Sequence, residues 1–577
     1  MRAASSVPSA HVRLPRARAW LVLGLLLAGF LVMVGRAVYL QGFNDDFLQA
    51  RGEARFTRVI DIPANRGIVT DREGEPLAIS TPVEGVAVIP GDVRKLDDAQ
   101  IAALARVLGM NASAIRTRID EARGDFVYLR RQVPPDQAAR VLALRLPGVL
   151  LRREYRRYYP AGEVTAHLVG FTDVDDRGQE GVELAYQDWL AGKPGSRRVI
   201  RDRRGQIVED IESLRVPQQG RDLALSIDRK VQYLAFRELK SAVTTHRARG
   251  GSAVVLDVHT GEVLALVNLP TYNPNNREKV TGQQTRNRAI IDLYEPGSTM
   301  KAFTIAAGIE AGVVRPETMI QTAPGSITIG PNTIRDTSAH GLINVTQVLQ
   351  KSSNVGSVKI AMMLPADRFW QALSDVGFGA PTRIGFPGEA HGRLRSPRNW
   401  RPIEQATMSY GHGLSVTLLQ MARAYIAFAT DGEMRPLSIV RNDAPAPGVR
   451  VMSADTAQTV RRMLELATQA GGTAPRAQVA GYRVGGKTGT AHKVENGVYV
   501  NRYVASFIGL APVSAPRIVV AVMIDEPSAG QHYGGQVAAP VFSQIVAGAL
   551  RMLGVAHDAP SNNVVLPAPG SEVKEEV

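Results

Sequence analysis

The sequence predicts an α/β (α+β) body carried behind one amino-terminal membrane helix, and three observations lead to that expectation. An uncharged apolar stretch runs from Ala19 to Gly35 (AWLVLGLLLAGFLVMVG). A strand-to-helix-to-strand pattern opens near Gly220. Toward the carboxyl end the chain returns to β pattern and then to an apolar helix. At 577 residues, 45% hydrophobic and 21% charged, it is too long for one ordinary core and too apolar for wholesale disorder.

The amino terminus sets the compartment. The apolar stretch resumes after Arg36 as Ala37 to Leu40, so residues 19–40 supply roughly twenty residues, about one bilayer span. Arg2, Arg13, Arg16 and Arg18 precede it with no acid among them, whereas Asp45 and Asp46 follow it. The positive-inside rule then puts residues 1–18 in the cytoplasm as a basic tail and everything after about residue 41 outside. Trp20 and Tyr39 stand where interfacial aromatics would anchor the helix. A cleaved signal would need a small-x-small site, and the nearest candidate, Gly35-Arg36-Ala37, carries an arginine inside it, so the helix reads as retained.

Residues 41–220 are basic and turn-rich, with short apolar alternations such as Val86 to Pro90 and an arginine-dense run from Arg152 to Arg204. They read as a mixed α+β module in which those arginines serve solvated strands and internal ion pairs. Arg66-Gly67 and Asp71-Arg72-Glu73-Gly74 read as a turn between strands. Residues 221–557 read as a second domain. DLALSIDRKVQYLAFRELKSAV passes from strand to amphipathic helix, and Ser252 to Leu269 reads as two alternating strands around His259-Thr260-Gly261. Strand pattern returns at Tyr503 to Leu510 and Arg517 to Ile524, before an apolar helix from Pro540 to Leu553. Residues 558–577 (DAPSNNVVLPAPGSEVKEEV) form an acidic tail expected to stay disordered.

Composition excludes several chemistries. With no cysteine there is no disulfide scaffold, thiolate metal site or cysteine nucleophile. The ten histidines never recur at helical three- or four-residue spacing, which disfavours a zinc helix. The charge balance, 68 basic against 54 acidic residues, invites an anionic neighbour, and the outward placement points to wall polymer or lipid over nucleic acid.

The chemistry-bearing segment is EPGSTMKAFTIAAGIEAG, which places Ser298 in the first turn of an apolar helix and Lys301 on the same face. A serine hydroxyl is a poor nucleophile until a base takes its proton. A lysine can be that base when desolvation or a second cation lowers its pKa. By itself SxxK is a weak signal, since Ser571-Glu572-Val573-Lys574 repeats it in the tail and Ser561-Asn562-Asn563 repeats the S-x-N form of Ser352-Ser353-Asn354. Lys487-Thr488-Gly489-Thr490 completes the order SxxK, SxN, KTG, a catalogued signature of penicillin-binding proteins and β-lactamases. A hydroxyl and an amide can relay a proton to a leaving nitrogen, and a lysine with hydroxyls on a strand can hold a carboxylate. Gly489 would let a peptide approach the strand backbone closely. Gly481 to Thr488 also matches a phosphate loop, but Gly489 and the hairpin-like KVENGVYVNRYV follow where that loop requires a helix. His412, between two glycines, reads as a turn residue near the pocket.

On these residues the chain resembles the class B penicillin-binding proteins, serine transpeptidases of peptidoglycan. PANRGIVTDREGEPLAIS, Tyr159-Pro160-Ala161-Gly162 with His167, and Gly181-Val182-Glu183 resemble the family's amino-terminal boxes. RNRAIIDLYEPGSTMK, KSSNVGSVKIA, YGHGLSVTLLQMARAY, GGKTGTAHKV and YGGQVAAPVF extend the resemblance through the second domain. Glu295 before Pro296-Gly297-Ser298 and the asparagine of Ser352-Ser353-Asn354 resemble the division branch, penicillin-binding protein 3.

The resemblance implies a transpeptidase domain built on a five-stranded antiparallel sheet between helical layers, above an elongated pedestal of the dimerisation type. It implies an inner-membrane protein with a periplasmic catalytic domain that needs no cofactor. The implied catalytic set is Ser298, Lys301, Ser352, Asn354 and Lys487. Thr488, Gly489 and Thr490 would bind substrate, and the backbone amides of Ser298 and Thr490 would form the oxyanion hole. The implied partners are donor and acceptor stem peptides, β-lactams, and the polytopic glycan polymerase and other membrane proteins of division. The open alternatives are an elongation-type transpeptidase, a D,D-carboxypeptidase or β-lactamase with water as acceptor, and a non-catalytic β-lactam-sensing or wall-binding scaffold.

Overall fold

In the computed structural model the apolar amino-terminal stretch forms the helix Arg16–Val38, 23 residues with no side chain buried. At 1.5 Å per residue it spans about 35 Å, enough for the hydrocarbon core of a bilayer. It alone among the described residues is long and apolar enough to cross a membrane. The structure describes residues 15–40, 57–123, 126–201, 207–495, 497–566 and 575. Basic residues 1–14 and the Ser571–Lys574 repeat of SxxK lie outside them.

The chain divides into two compact units that interleave along the sequence. One comprises Met1–Ala64, Gly85–Arg152 and Lys193–Gln218; the other comprises Asn65–Glu84, Arg153–Gly192 and Gln219–Val577. In the first, strands Thr57–Ile62, Gly195–Arg201 and Ile207–Arg215 pair antiparallel. A small core beside them takes Ile101, Leu104 and Leu108 from helix Asp98–Leu108, Ile115 and Ile119 from helix Ala112–Glu121, and Leu129 and Val133 from strand Val127–Val133. The longest of these helices begins where Asp97 and Gln100 cap each other's backbone amides and ends at Gly109, whose φ of +64° closes the turn without a Cβ clash.

Asn65–Glu84 and Arg153–Gly192 belong to the larger unit because of a buried ion cluster. Glu183 accepts from Arg66 Nε (2.6 Å) and from Arg157 Nε (2.7 Å), with all three side chains out of solvent. Arg66 also donates to the carbonyl of Asp176 (3.0 Å) and to Gln187 (2.9 Å), and Arg157 to Ser80 (3.0 Å). The sequence reading of Arg66-Gly67 as a plain turn is corrected here: its guanidinium holds three chain segments together. Asp71 to Gly74 does form the expected hairpin turn, Asp71 accepting from the amides of Glu73 and Glu75. Removing the shared acid strands two buried cations. Glu183→Gln is therefore expected to lower stability in urea unfolding by about 3–5 kcal/mol, and Glu183→Leu combined with Arg66→Met and Arg157→Met to recover most of it.

The catalytic scaffold follows helix α1 (Arg229–Thr245), opened by Asp228 accepting from the amides of Lys230 and Val231. Strands β1 (Gly250–Asp257) and β2 (Val263–Leu269) come next, then α2 (Lys301–Glu310), α3 (Val345–Lys351), α4 (Asn354–Met362), α5 (Leu418–Ala429) and α6 (Ala454–Thr468). The chain closes with β3 (Gly485–Glu495), β4 (Val498–Ala511), β5 (Ile518–Asp525) and α7 (Ala539–Met552). The strands form one antiparallel sheet in the order β2-β1-β5-β4-β3, the five-stranded sheet the resemblance implied.

Strand alternation divides two cores. Ala253, Val255, Phe507, Val520 and Val522 face α1 and α7, packing on Val231, Leu239, Phe542 and Ile545. Val254, Leu256, Ile508, Val519 and Ala521 face the other helical layer, with Met300, Phe303, Met421 and Tyr425. Because both faces are covered, every residue of β1, β2 and β5 is buried, so the two strands expected within Ser252 to Leu269 are buried on both faces and not on alternate residues. Strand β3 lies at the edge of the sheet.

Candidate active site

Ser298 sits in a tight turn, Gly297–Met300, that runs directly into α2. Gly297 at φ +57° makes the entry possible, and Thr299 fixes the turn by donating its hydroxyl to the carbonyl of Pro296 (2.8 Å). From α5, Tyr425 donates to the carbonyl of Thr299 (2.9 Å). The turn is therefore held from inside and from the core. Ser298 is 5% exposed and Lys301, one turn on, is fully buried. Lys301 Nζ donates to the carbonyl oxygen of Ser352 and to Ser352 Oγ (3.0 Å), so the first and second motifs meet through side-chain contact.

Ser352 caps α3 in the left-handed region, φ +64°, a conformation that non-glycine residues hold only when their surroundings impose it. Ser353 opens α4, accepting from the Gly356 amide (2.9 Å) and donating to Asp336 (2.6 Å), while Asp336 also accepts from the Val355 amide (2.9 Å). Asp336 thus staples the loop that carries Ser352 and Asn354. Asn354 donates Nδ2 to the carbonyl of Arg335 (3.2 Å), and its buried Oδ1 has no hydrogen-bond partner among the described residues.

The third motif lies on β3, as a strand and not as a phosphate loop. Lys487 is fully buried and donates to Thr488 Oγ1 (3.1 Å) and Thr473 Oγ1 (3.4 Å). Gly489 is where the strand and the Ser298 turn approach. A Cβ there would stand 2.8 Å from the carbonyl oxygen of Pro296 and 2.9 Å from Thr299 Cγ2, too close for any side chain. Thr490 Oγ1 accepts from the amide of Gly534 (3.0 Å). All eight residues read from the sequence, Ser298, Lys301, Ser352, Asn354, Lys487, Thr488, Gly489 and Thr490, thus stand on elements that converge on one another. Four further contributors carried no sequence signal that marked them: Asp336, Thr473, Tyr499 and Glu575.

Glu575 alters the expectation for the acidic tail. Its side chain is buried on β3, accepting from Thr490 Oγ1 (2.9 Å) and from the amide of Gly535 (2.5 Å), and its backbone carbonyl accepts from Thr337 Oγ1 (3.2 Å). Burial pushes its carboxyl pKa up, opposed by the Lys487 ammonium and these donors. Against the expectation of a disordered tail, Glu575 is a buried carboxylate on β3.

Beside the Ser298 turn, Glu295 accepts from the Gly413 amide (2.8 Å) and the Tyr499 hydroxyl (2.9 Å), with His412 Nδ1 3.6 Å away. These groups adjoin a cavity of about 450 Å³ whose walls include Glu295, Arg393, Arg395, His492 and Lys493. Burial raises the Glu295 carboxyl pKa, and burial together with the nearby Lys301 and His492 charges pushes His412 down to about 4. His412 is therefore neutral at pH 7 and shapes the turn, as its flanking glycines suggested. His167 is likewise pushed down to about 4 by burial. Unfolded histidines titrate near 6.5, so between about pH 4 and 6.5 the unfolded chain binds more protons. The stability due to each neutral histidine is complete above pH 6.5 and lost as pH falls toward 4. His412→Gln should flatten the stability-against-pH slope across that window by up to about 1.4 kcal/mol per pH unit, measured by urea unfolding at several pH values.

Comparison with known proteins agrees with this geometry. Residues 251–547 match the penicillin binding protein transpeptidase domain, and residues 61–225 the penicillin-binding protein dimerisation domain. The chain is 43% identical over 545 residues to the peptidoglycan D,D-transpeptidase FtsI of Escherichia coli, covering 93% of this chain and 92% of that one. It is 42% identical over 544 residues to the probable peptidoglycan D,D-transpeptidase PenA of Neisseria gonorrhoeae, covering 94% and 93%. Among solved structures, the apo TP domain of Burkholderia pseudomallei penicillin-binding protein 3 superposes with a TM-score of 0.54 at 49% identity, covering 58% of this chain and 98% of that one.

Proposed function

Because the chain belongs to the penicillin-binding protein transpeptidase family, in its class B branch of the penicillin-binding protein 3 type, we propose that Ser298 is the nucleophile with which it cross-links stem peptides of septal peptidoglycan. The observation that carries the assignment is the contact of Lys301 Nζ with Ser352 Oγ at 3.0 Å, one helical turn from Ser298. It joins a candidate base to a candidate proton relay inside a dry site.

In the proposed reaction, Lys301 takes the Ser298 hydroxyl proton as Oγ attacks the penultimate D-Ala carbonyl of the donor. The negative oxygen of the tetrahedral intermediate is held by the Ser298 and Thr490 amides. Collapse breaks the peptide bond to the terminal D-Ala, whose nitrogen is protonated from Lys301 through Ser352, with Lys487 polarising the relay. Asn354 orients the donor amide, its buried Oδ1 being an acceptor without a hydrogen-bond partner among the described residues. Thr488 and Thr490 hold the terminal carboxylate. Gly489 lets the donor lie against the edge of β3, as strand addition requires. The acceptor amine then attacks the acyl-serine, giving the cross-link and free Ser298. A β-lactam presents the same carbonyl in a ring whose opened amine cannot leave, so the serine stays acylated.

Helix Arg16–Val38 is the single-pass anchor, with the amino terminus cytoplasmic and the catalytic unit periplasmic of the inner membrane. The arginines before it and the aspartates after it support that orientation. The functional modules proposed are a cytoplasmic tail (1–18), the membrane helix (19–40), an amino-terminal pedestal (41–220) that meets the polytopic glycan polymerase and other division proteins, and the transpeptidase domain (221–557). The test is the acyl-enzyme itself. One equivalent of penicillin bound and retained supports the transpeptidase, and rapid turnover of the drug would mark a water-using hydrolase instead.

A further inference from the structure

We infer that the carboxyl-terminal tail is an intramolecular competitor of the donor peptide, its Glu575 carboxylate occupying the subsite on β3 that holds the substrate carboxylate. This deepens the transpeptidase reading and rests on it. On β3 the hydroxyls of Thr488 and Thr490, beside Lys487, are the groups that would hold a peptide's terminal carboxylate. In the structure a carboxylate is there, and it is the chain's own. Glu575 is 4% exposed. Thr490 Oγ1 donates to one oxygen at 2.9 Å, the amide of Gly535 donates to the other at 2.5 Å, and the neighbouring Lys487 ammonium and Thr488 side chain favour the charged carboxylate. Thr337 Oγ1 donates to the backbone carbonyl of the same residue at 3.2 Å, as it would to an extended peptide laid in the cleft.

The tether makes the contact reachable. Asp558 accepts from the Arg483 amide (2.7 Å) and the Ser514 hydroxyl (2.7 Å). Asn563 accepts from the Gly481 amide (3.0 Å) and donates to the carbonyls of Val479 and Tyr482, and the Val565 amide donates to Gln478 (2.9 Å). The tail is therefore pinned to residues 478–483, which lead straight into β3. From Arg483 to Thr490 is seven residues, about 23 Å of extended chain. From Leu566 to Glu575 is nine residues, a reach of about 30 Å. A carboxylate tethered over that length competes at an effective concentration in the millimolar range, against a substrate that must arrive from outside.

The apparent acylation rate of the full chain is then reduced by the fraction of molecules with the subsite free. Full-length protein in membranes is titrated with fluorescent penicillin at early times, comparing wild type, a chain ending at Leu566, Glu575→Gln and Glu576→Gln. The shortened chain should acylate about fivefold faster than wild type, with Glu575→Gln moving the same way and Glu576→Gln near wild type. A synthetic GSEVKEEV peptide at millimolar concentration should slow the shortened chain again. Equal rates in all four, with every chain fully labelled at long times, overturn the tail inference and leave the transpeptidase reading intact. Glu576→Gln accelerating as much as Glu575→Gln overturns it too, because the effect would then be general charge. Absence of labelling in every chain removes the transpeptidase reading and this inference with it.

Discussion

Ser298→Ala gains no mass on incubation with penicillin, whereas the wild-type chain gains one β-lactam equivalent. The expectation rests on the absence of a substitute. Thr299, the neighbouring hydroxyl, is fully buried and committed to the carbonyl of Pro296, and the Ser352 hydroxyl is already within hydrogen-bond distance of Lys301 as part of the relay. Losing a covalent nucleophile removes a whole reaction path, and by analogy with other acyl-transfer enzymes the residual rate should fall by about 10⁵–10⁶. Binding should survive, because the groups on β3 are untouched, so the alanine chain should still protect against thermal unfolding when β-lactam is present. Retention of the mass shift in Ser298→Ala, with the label mapping to another residue, would refute the assignment.

Replacing Lys301 by Met should slow acylation by about 10³–10⁴ without unfolding the protein. Lys301 is fully buried on a helix whose other residues through Gly308 are also buried, so a methionine of similar length keeps the packing and removes only the amine. Without it Ser298 loses its proposed base, and the Ser352 hydroxyl loses its partner at 3.0 Å. The diagnostic is the pair of readouts. Acylation collapses while the melting temperature stays close to wild type, because methionine fills a similar volume without the desolvation energy that a buried amine costs. A large loss of stability with acylation preserved in the remaining folded fraction would make Lys301 a structural residue.

Several features were legible from local pattern. The Arg16–Val38 helix follows from an uncharged run of bilayer length, which needs no knowledge of neighbours. The KTGT strand, the hairpin after it and the Ser298 turn follow from residue order and turn chemistry. Other readings erred where a residue's environment is set from far along the chain. Arg66 looks like part of a turn, yet 117 residues separate it from the glutamate that buries it. Ser252 to Leu269 looks like half-exposed strands because alternation reports one covered face, and two helical layers cover both. Asp336 carries no motif, and its importance arises only when it reaches Ser353 and the Val355 amide.

The amino-acid sequence by itself determined an apolar helix of bilayer length, the order of the three motifs and the side-chain chemistry each offers, because helix length, turn formation and side-chain chemistry are properties of neighbouring residues. The tertiary structure alone decided that Lys301 meets Ser352 across 51 residues, that Gly489 lets β3 close on the Ser298 turn, and that Glu575 reaches Thr490 across 85. Those contacts exist because a sheet buried on both faces brings distant segments together, and no local propensity encodes which partner the packing will deliver.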